Sequence, residues 1–175
     1  PEIEPLELRI GYVKADFESD YAFREQDSVA LEKMRSMGWE LIPVELPGLK
    51  VDDISFILSA EAAAAFDELT LSNRDDLLVR QIKNAWPNVF RTARFIPAVE
   101  YLNANRIRYL LIQEMYELFR EVHLFVAPSW NGNMLLLTNL TGHPCVVVPN
   151  GFDEEGHPTS ISFVGDLFRE GDILA

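Results

Sequence analysis

Trp130, Asn131, Gly132 and Asn133 combine an aromatic body, two amides and a permissive glycine. That mixture suits recognition of a neutral small molecule, and it equally suits an ordinary turn. The four residues directly follow an apolar run, Leu124 to Ser129 (LFVAPS). A strand there would place them at its C-terminal edge, where open α/β sheets bind their ligands. Thr138 and Asn139 add a hydroxyl and an amide further on. They are read either as the cap of a short helical turn, ended by Gly142 and barred from continuing by Pro144, or as polar groups at a pocket edge. Together, Trp130, Asn131, Thr138 and Asn139 are the candidates for a substrate-pocket wall.

Cys145 lies two residues after His143. In an extended chain both would point to the same side, as a nucleophile and its base require. The opposing reading is a core cysteine, because Cys145 opens the apolar run CVVV, where a buried thiol has a raised pKa and is inert. Arg106 and Arg108 either orient a carboxylate or pair with nearby acids such as Glu100, as exposed helical arginines commonly do. The sequence contains no Gly-x-Ser-x-Gly elbow, His-Glu-x-x-His, phosphate-binding Walker loop or Gly-x-Gly-x-x-Gly fingerprint. His123, His143 and His157 are spaced too irregularly for a metal site, and there is no second cysteine. Asn139-Leu140-Thr141 matches a glycosylation acceptor but has no secretory context.

The 175 residues carry a net charge of −13, with Lys and Arg scattered among 28 acids. This excludes a nucleic-acid backbone as partner, which requires clustered cations. A single cysteine allows no internal disulfide and fits a reducing, cytoplasmic compartment. No run reaches the ~20 apolar residues of a membrane helix. Against this charged background, Val122 to Phe152 contains no Asp, Glu, Lys or Arg. Such an island is either buried scaffold or the lining of a site that wants no fixed charge.

The elements that would position these residues read as α/β. Leu8 to Val13 is a buried strand, Asp27 and Ser28 cap a helix reaching Met37, and Trp39 to Leu46 is the next strand, parallel to the first. Asp52 and Asp53 open a helical stretch through ISFILSAEAAAAFDELTL. A long helix runs from Ala98 to Val122, with Ala104, Ile107, Leu111, Met115, Leu118 and Val122 on one stripe. LFVAPS and CVVVP read as strands buried on both faces, and Thr159 to Val164 as their neighbour after a Glu155-Gly156 turn. Residues 1–7, with two prolines, read as a linker, and 8–175 as one domain truncated at both ends. The acidic start in REGDILA reads as a helix cut short.

Asn139, Leu140, Gly142 and Pro144 form an N-L-x-G-x-P turn before the strand, and Pro149, Gly151 and Phe152 form P-x-G-F after it. Val164, Gly165, Phe168 and Glu170 follow as a further motif. In order and spacing these elements resemble the C-terminal segment of the amidase signature family. EAAAAFDEL, EYLNANRIR and LFVAPS are similar to the elements that lead to it there, so the resemblance spans Leu8 to Ala175.

That resemblance implies a partial α/β/α layered sheet and a parent that hydrolyses C–N amide bonds. The implied mechanism is Ser-cisSer-Lys, with no metal or cofactor, and no position here matches those catalytic residues. It further implies that the chain alone is inactive and that its partners are an amide substrate and the N-terminal half of the same protein. The uncharged island weighs toward neutral amides over free glutamine, the substrate of the glutaminase subunit of tRNA-dependent amidotransferases. A non-catalytic interaction domain is the reading from another class. A lone fragment with open sheet edges would then form a homo-oligomer or aggregate.

Overall fold

The computed structural model describes residues 7–174, so residues 1–6 of the expected linker lie outside the described residues. The described residues form two compact units, one comprising residues 7–49 and 111–174, the other residues 50–110.

The first unit is built on a five-stranded mixed sheet. β1 (Ile10–Val13) pairs in parallel with β2 (Leu41–Val44) on one side and β3 (Leu124–Pro128) on the other. β5 (Pro158–Gly165) runs antiparallel to β3, and β4 (Cys145–Phe152) antiparallel to β5, giving the order β2-β1-β3-β5-β4. All five residues of β3 are buried, as its unbroken apolar sequence predicts for a strand covered on both faces. On one face Leu124, Val126 and Ile161 pack with Leu31 and Met34 of helix α2 (Arg24–Ser36) and with Phe17 of helix α1 (Lys14–Glu18). On the other, the Phe125 ring lies 5.8 Å from that of Phe119, near the end of the long helix Ala98–Glu121. These helices on opposite faces make the α/β/α layering. Truncating a wholly buried side chain such as Phe125 to alanine costs about 3–5 kcal/mol in cores of this kind.

The second unit is helical. A 3₁₀ turn (Val51–Ile54) precedes helices α3 (Phe56–Ala65), α4 (Asp67–Leu71) and α5 (Trp86–Ala93) and the first half of the long helix, α6 (Ala98–Glu121). The helical stretch expected after Asp52 is formed in three pieces. Ala63, Phe90 and Ala93 form its small core, with Phe66 stacked on Phe90 at 5.2 Å.

Three local expectations differ from the structure. α2 begins at Arg24, so Asp27 and Ser28 are interior: Asp27 is buried, and the Ser28 hydroxyl donates to the Arg24 carbonyl at 2.7 Å. Along α6 the buried stripe is Ala104, Leu111, Met115 and Phe119, continued by Val122 just past its end, while Ile107 is exposed. CVVVP is not buried on both faces, because β4 is the outermost strand; Val147 and Val148 are 56% and 40% exposed. An apolar run alone does not reveal whether a neighbouring strand covers it.

Candidate functional site

β1 leads to β2 on one side, and the chain later returns as β3 on the other. The gap between the C-terminal ends of β1 and β3 is therefore a topological switch point, where α/β sheets form crevices. α1 enters it directly from β1 at Lys14. From β3, a turn over residues 129–133 leads into helix α7 (Met134–Thr141).

The two sides are tied by side chains. The Asn131 amide nitrogen donates to the Asp16 carbonyl at 2.7 Å and to the Ser19 hydroxyl at 2.7 Å. The Asp16 carboxylate lies under Gly132: a Cβ there would overlap its Oδ2, and the glycine has φ +71°. A side chain at 132 would have to displace the Asp16 carboxylate and hold a backbone conformation that glycine adopts most readily. Burial pushes the Asp16 carboxyl above the usual carboxylate range. Behind the turn, the Ser129 and Ser162 hydroxyls are 2.8 Å apart. Trp130 is 68% exposed beside them. At this edge the Asn131 amide nitrogen and the Ser129 and Ser162 hydroxyls are engaged in hydrogen bonds within the protein, the Asp16 carboxylate is tucked inward and the Trp130 indole is open.

Thr138 and Asn139 lie inside α7 rather than at its start, and both side chains donate to the Leu135 carbonyl, at 3.1 Å and 2.8 Å. Thr138 is buried. The expected terminator is in place: Gly142 ends α7 in the left-handed region and its N–H returns to the Thr138 carbonyl. The structure therefore brings Trp130 and Asn131 to the crevice and commits the hydrogen bonds of Thr138 and Asn139 to their own helix.

Cys145 and His143 do not form a dyad. His143 is buried, its ring stacked 5.1 Å from Phe119 and its Nδ1 2.7 Å from the Thr141 hydroxyl. Burial lowers its pKa, with Asp166 opposing. Cys145 is exposed on the edge strand rather than in the core. Partial burial of its thiol still raises the pKa, opposed by a hydrogen bond with Ser162. Lys14 pairs with Glu18 at 3.7 Å in solvent. Among the described residues no cluster of His, Cys, Asp and Glu could hold a metal ion, and no helix is long and apolar enough to cross a membrane.

Sequence reasoning missed Asp16, whose role depends on Gly132 lying 116 positions away; the Gly in WNGN was the available signal. Arg108 pairs with an acid as expected, but with Glu61 at 3.4 Å instead of the Glu100 given as an example, and Glu61 also accepts from the Tyr101 hydroxyl at 3.1 Å. Glu61, Tyr101 and the paired Arg94 and Asp67 border an alanine-lined cleft of about 620 Å³ within the helical unit.

No protein-family model matches the chain. It is similar to a glutamyl-tRNA(Gln) amidotransferase subunit from Nostoc sp., 24% identical over 210 residues, covering 95% of this chain and 43% of that protein. The corresponding protein from Prochlorococcus marinus (strain MIT 9211) is 26% identical over 213 residues, with the same coverage, 95% and 43%. The chain spans less than half the length of these curated relatives. Among solved structures, an amidase superposes with a TM-score of 0.80 at 17% identity, covering 99% of this chain and 45% of that one. A bacterial aryl acylamidase of the amidase signature enzymes gives 0.74 at 17% identity over 96% and 42%. Allophanate hydrolase from Kluyveromyces lactis gives 0.70 at 17% identity over 98% and 31%.

The fold is that of the amidase signature enzymes. Nearly the whole chain matches less than half of the length of each of these proteins.

Proposed function

We propose that this chain is the scaffold portion of an amide hydrolase, supplying strands, packing helices and one wall of the substrate pocket. The reaction is hydrolysis of a C–N amide bond by a Ser-cisSer-Lys mechanism whose catalytic residues lie outside these 175 residues. The observation that carries the proposal is likeness along nearly the whole chain to amidases and to an amidotransferase protein more than twice its length. In this reading Trp130 and Asn131 face the substrate, Thr138 and Asn139 hold the wall behind them, and the N-terminal half of the same protein covers exposed strand β4. The substrate is a small neutral amide, and the location is the cytoplasm.

The test is to assay amide hydrolysis by the chain alone and by the chain joined to the sequence encoded upstream of Pro1. Activity is expected only in the longer protein, with Trp130→Ala raising KM more than it lowers kcat. Turnover by the chain alone, lost on Cys145→Ala, would overturn the proposal. The names of the curated relatives favour a second reading, the glutaminase component of a tRNA-dependent amidotransferase. It predicts ammonia release from glutamine that depends on partner proteins.

A further inference from the structure

In the helical unit, the segment Leu77 to Trp86 (LLVRQIKNAW) turns its apolar side chains to solvent. Leu77 is 81% exposed, Val79 100%, Ile82 53% and Trp86 49%. The backbone beneath them is fastened. Asp75, just before the segment, is fully buried and paired with Arg91 of α5. The Gln81 amide nitrogen donates to the Asp75 and Leu78 carbonyls at 3.0 Å and 2.7 Å, and the Asn88 amide nitrogen donates to the Ile82 carbonyl at 3.3 Å. Trp86 leans on Phe90, with ring centroids 5.5 Å apart, and leaves half of its indole outside. The amide side chains are thus tied to the segment's own backbone, while the apolar ones are presented outward.

A single exposed apolar side chain is ordinary, but several in succession on a fastened loop mark a contact surface. Charge indicates what the contact is. From Leu77 to Val99 there is no Asp or Glu, in a chain that has 28, and Arg80 and Lys83, both exposed, are interleaved with the apolar side chains. Residues 50–110 hold eight cations and eight acids, so the net charge of −13 arises wholly outside this unit. The core of a protein interface is depleted of lysine, and a side chain as prominent as Val79 would need a shaped socket there. Leu, Val and Ile interleaved with Arg and Lys, and followed by a half-exposed Trp, instead suit the headgroup region of a bilayer. Long cationic side chains reach the phosphates and an indole spans the boundary. We propose that residues 77–86 are a peripheral membrane contact, by which the helical unit docks on an anionic bilayer surface with Leu77, Val79 and Ile82 inserted and Arg80 and Lys83 on lipid phosphates. This contact is independent of the amide chemistry proposed above.

Co-sedimentation with vesicles tests it, using phosphatidylcholine alone and phosphatidylcholine mixed with phosphatidylglycerol. The chain should bind the mixed vesicles and release them in high salt. Leu77→Asp combined with Val79→Asp should weaken binding at least about tenfold at an unchanged urea midpoint, since both side chains are exposed in the free chain. Arg80→Gln and Lys83→Gln should each weaken it about fivefold on the mixed vesicles. The proposal is overturned if the chain binds neither vesicle, or if the Leu77 and Val79 substitutions leave binding at the parent level. It is equally overturned if the chain joined to its upstream sequence fails to bind while the chain alone does, because the segment would then be covered by protein and not by lipid.

Discussion

The carboxylate of Asp16 fills the space where a side chain at position 132 would be, joining the loop after β1 to the loop after β3. Gly132→Ala should therefore destabilise twice, through a clash with Asp16 and through a left-handed backbone that alanine disfavours. The expected loss is about 1–3 kcal/mol, read as a lower urea midpoint at unchanged slope. Removing the carboxylate with Asp16→Ala should recover the clash component only, so the double mutant should lose less than the sum of the singles. Strict additivity would mean that the two residues do not touch.

Stability should respond to pH from two buried groups of opposite sign. Burial raises the pKa of Asp27, against hydrogen bonds from Tyr21 and Asn150. Its contribution is fully present below the unfolded carboxylate's ~3.9 and is lost as pH rises through the higher folded value. Asp27→Asn should thus gain stability relative to the parent as pH increases from 4 to 7. Burial lowers the pKa of His143. Its contribution is present above the unfolded ~6.5 and is lost as pH falls through the lower folded value, so His143→Phe should flatten that limb. Urea midpoints measured across this range for the three proteins decide both signs.

Much of this architecture was legible because it rests on local patterns. The period of α6 and the all-apolar run of β3 mark their own burial, and Gly142 marks the end of α7. What escaped depends on partners distant in sequence. The exposure of Val147 follows from β4 being outermost, and the interior place of Asp27 follows from Asn150, 123 residues away. At the candidate site, Trp130 and Asn131 could be placed from the strand that precedes them. Thr138 could not, because a hydroxyl bonded to its own helix and one lining a pocket have the same sequence signature.

Cys145 is accessible yet should be unreactive. Its thiol is half-shielded and its pKa is raised by burial, with the Ser162 hydrogen bond opposing the shift. Only the thiolate alkylates. At pH 8 iodoacetamide should modify Cys145 several-fold more slowly than a peptide thiol, and Ser162→Ala should slow it further by removing the group that favours the anion. Alkylation at the rate of a free thiol would place Cys145 among reactive cysteines instead.

The outer edge of β4 governs how the chain behaves by itself. Val147 and Val148 point to opposite faces, both are substantially exposed, and Phe152 is 68% exposed at the far end. A long apolar edge with unpaired N–H and C=O groups is a template for another strand. The isolated chain should therefore self-associate with increasing concentration in sedimentation experiments. A lysine at the edge imposes the cost of burying a charge on any strand that docks there, so Val148→Lys should shift the chain toward monomer without lowering its urea midpoint. If the N-terminal half occupies this edge in the longer protein, the same lysine should weaken that association and the amide hydrolysis that depends on it. A chain that stays monomeric at every concentration, with or without the lysine, would show that β4 needs no covering strand and would favour an independent domain over a scaffold portion.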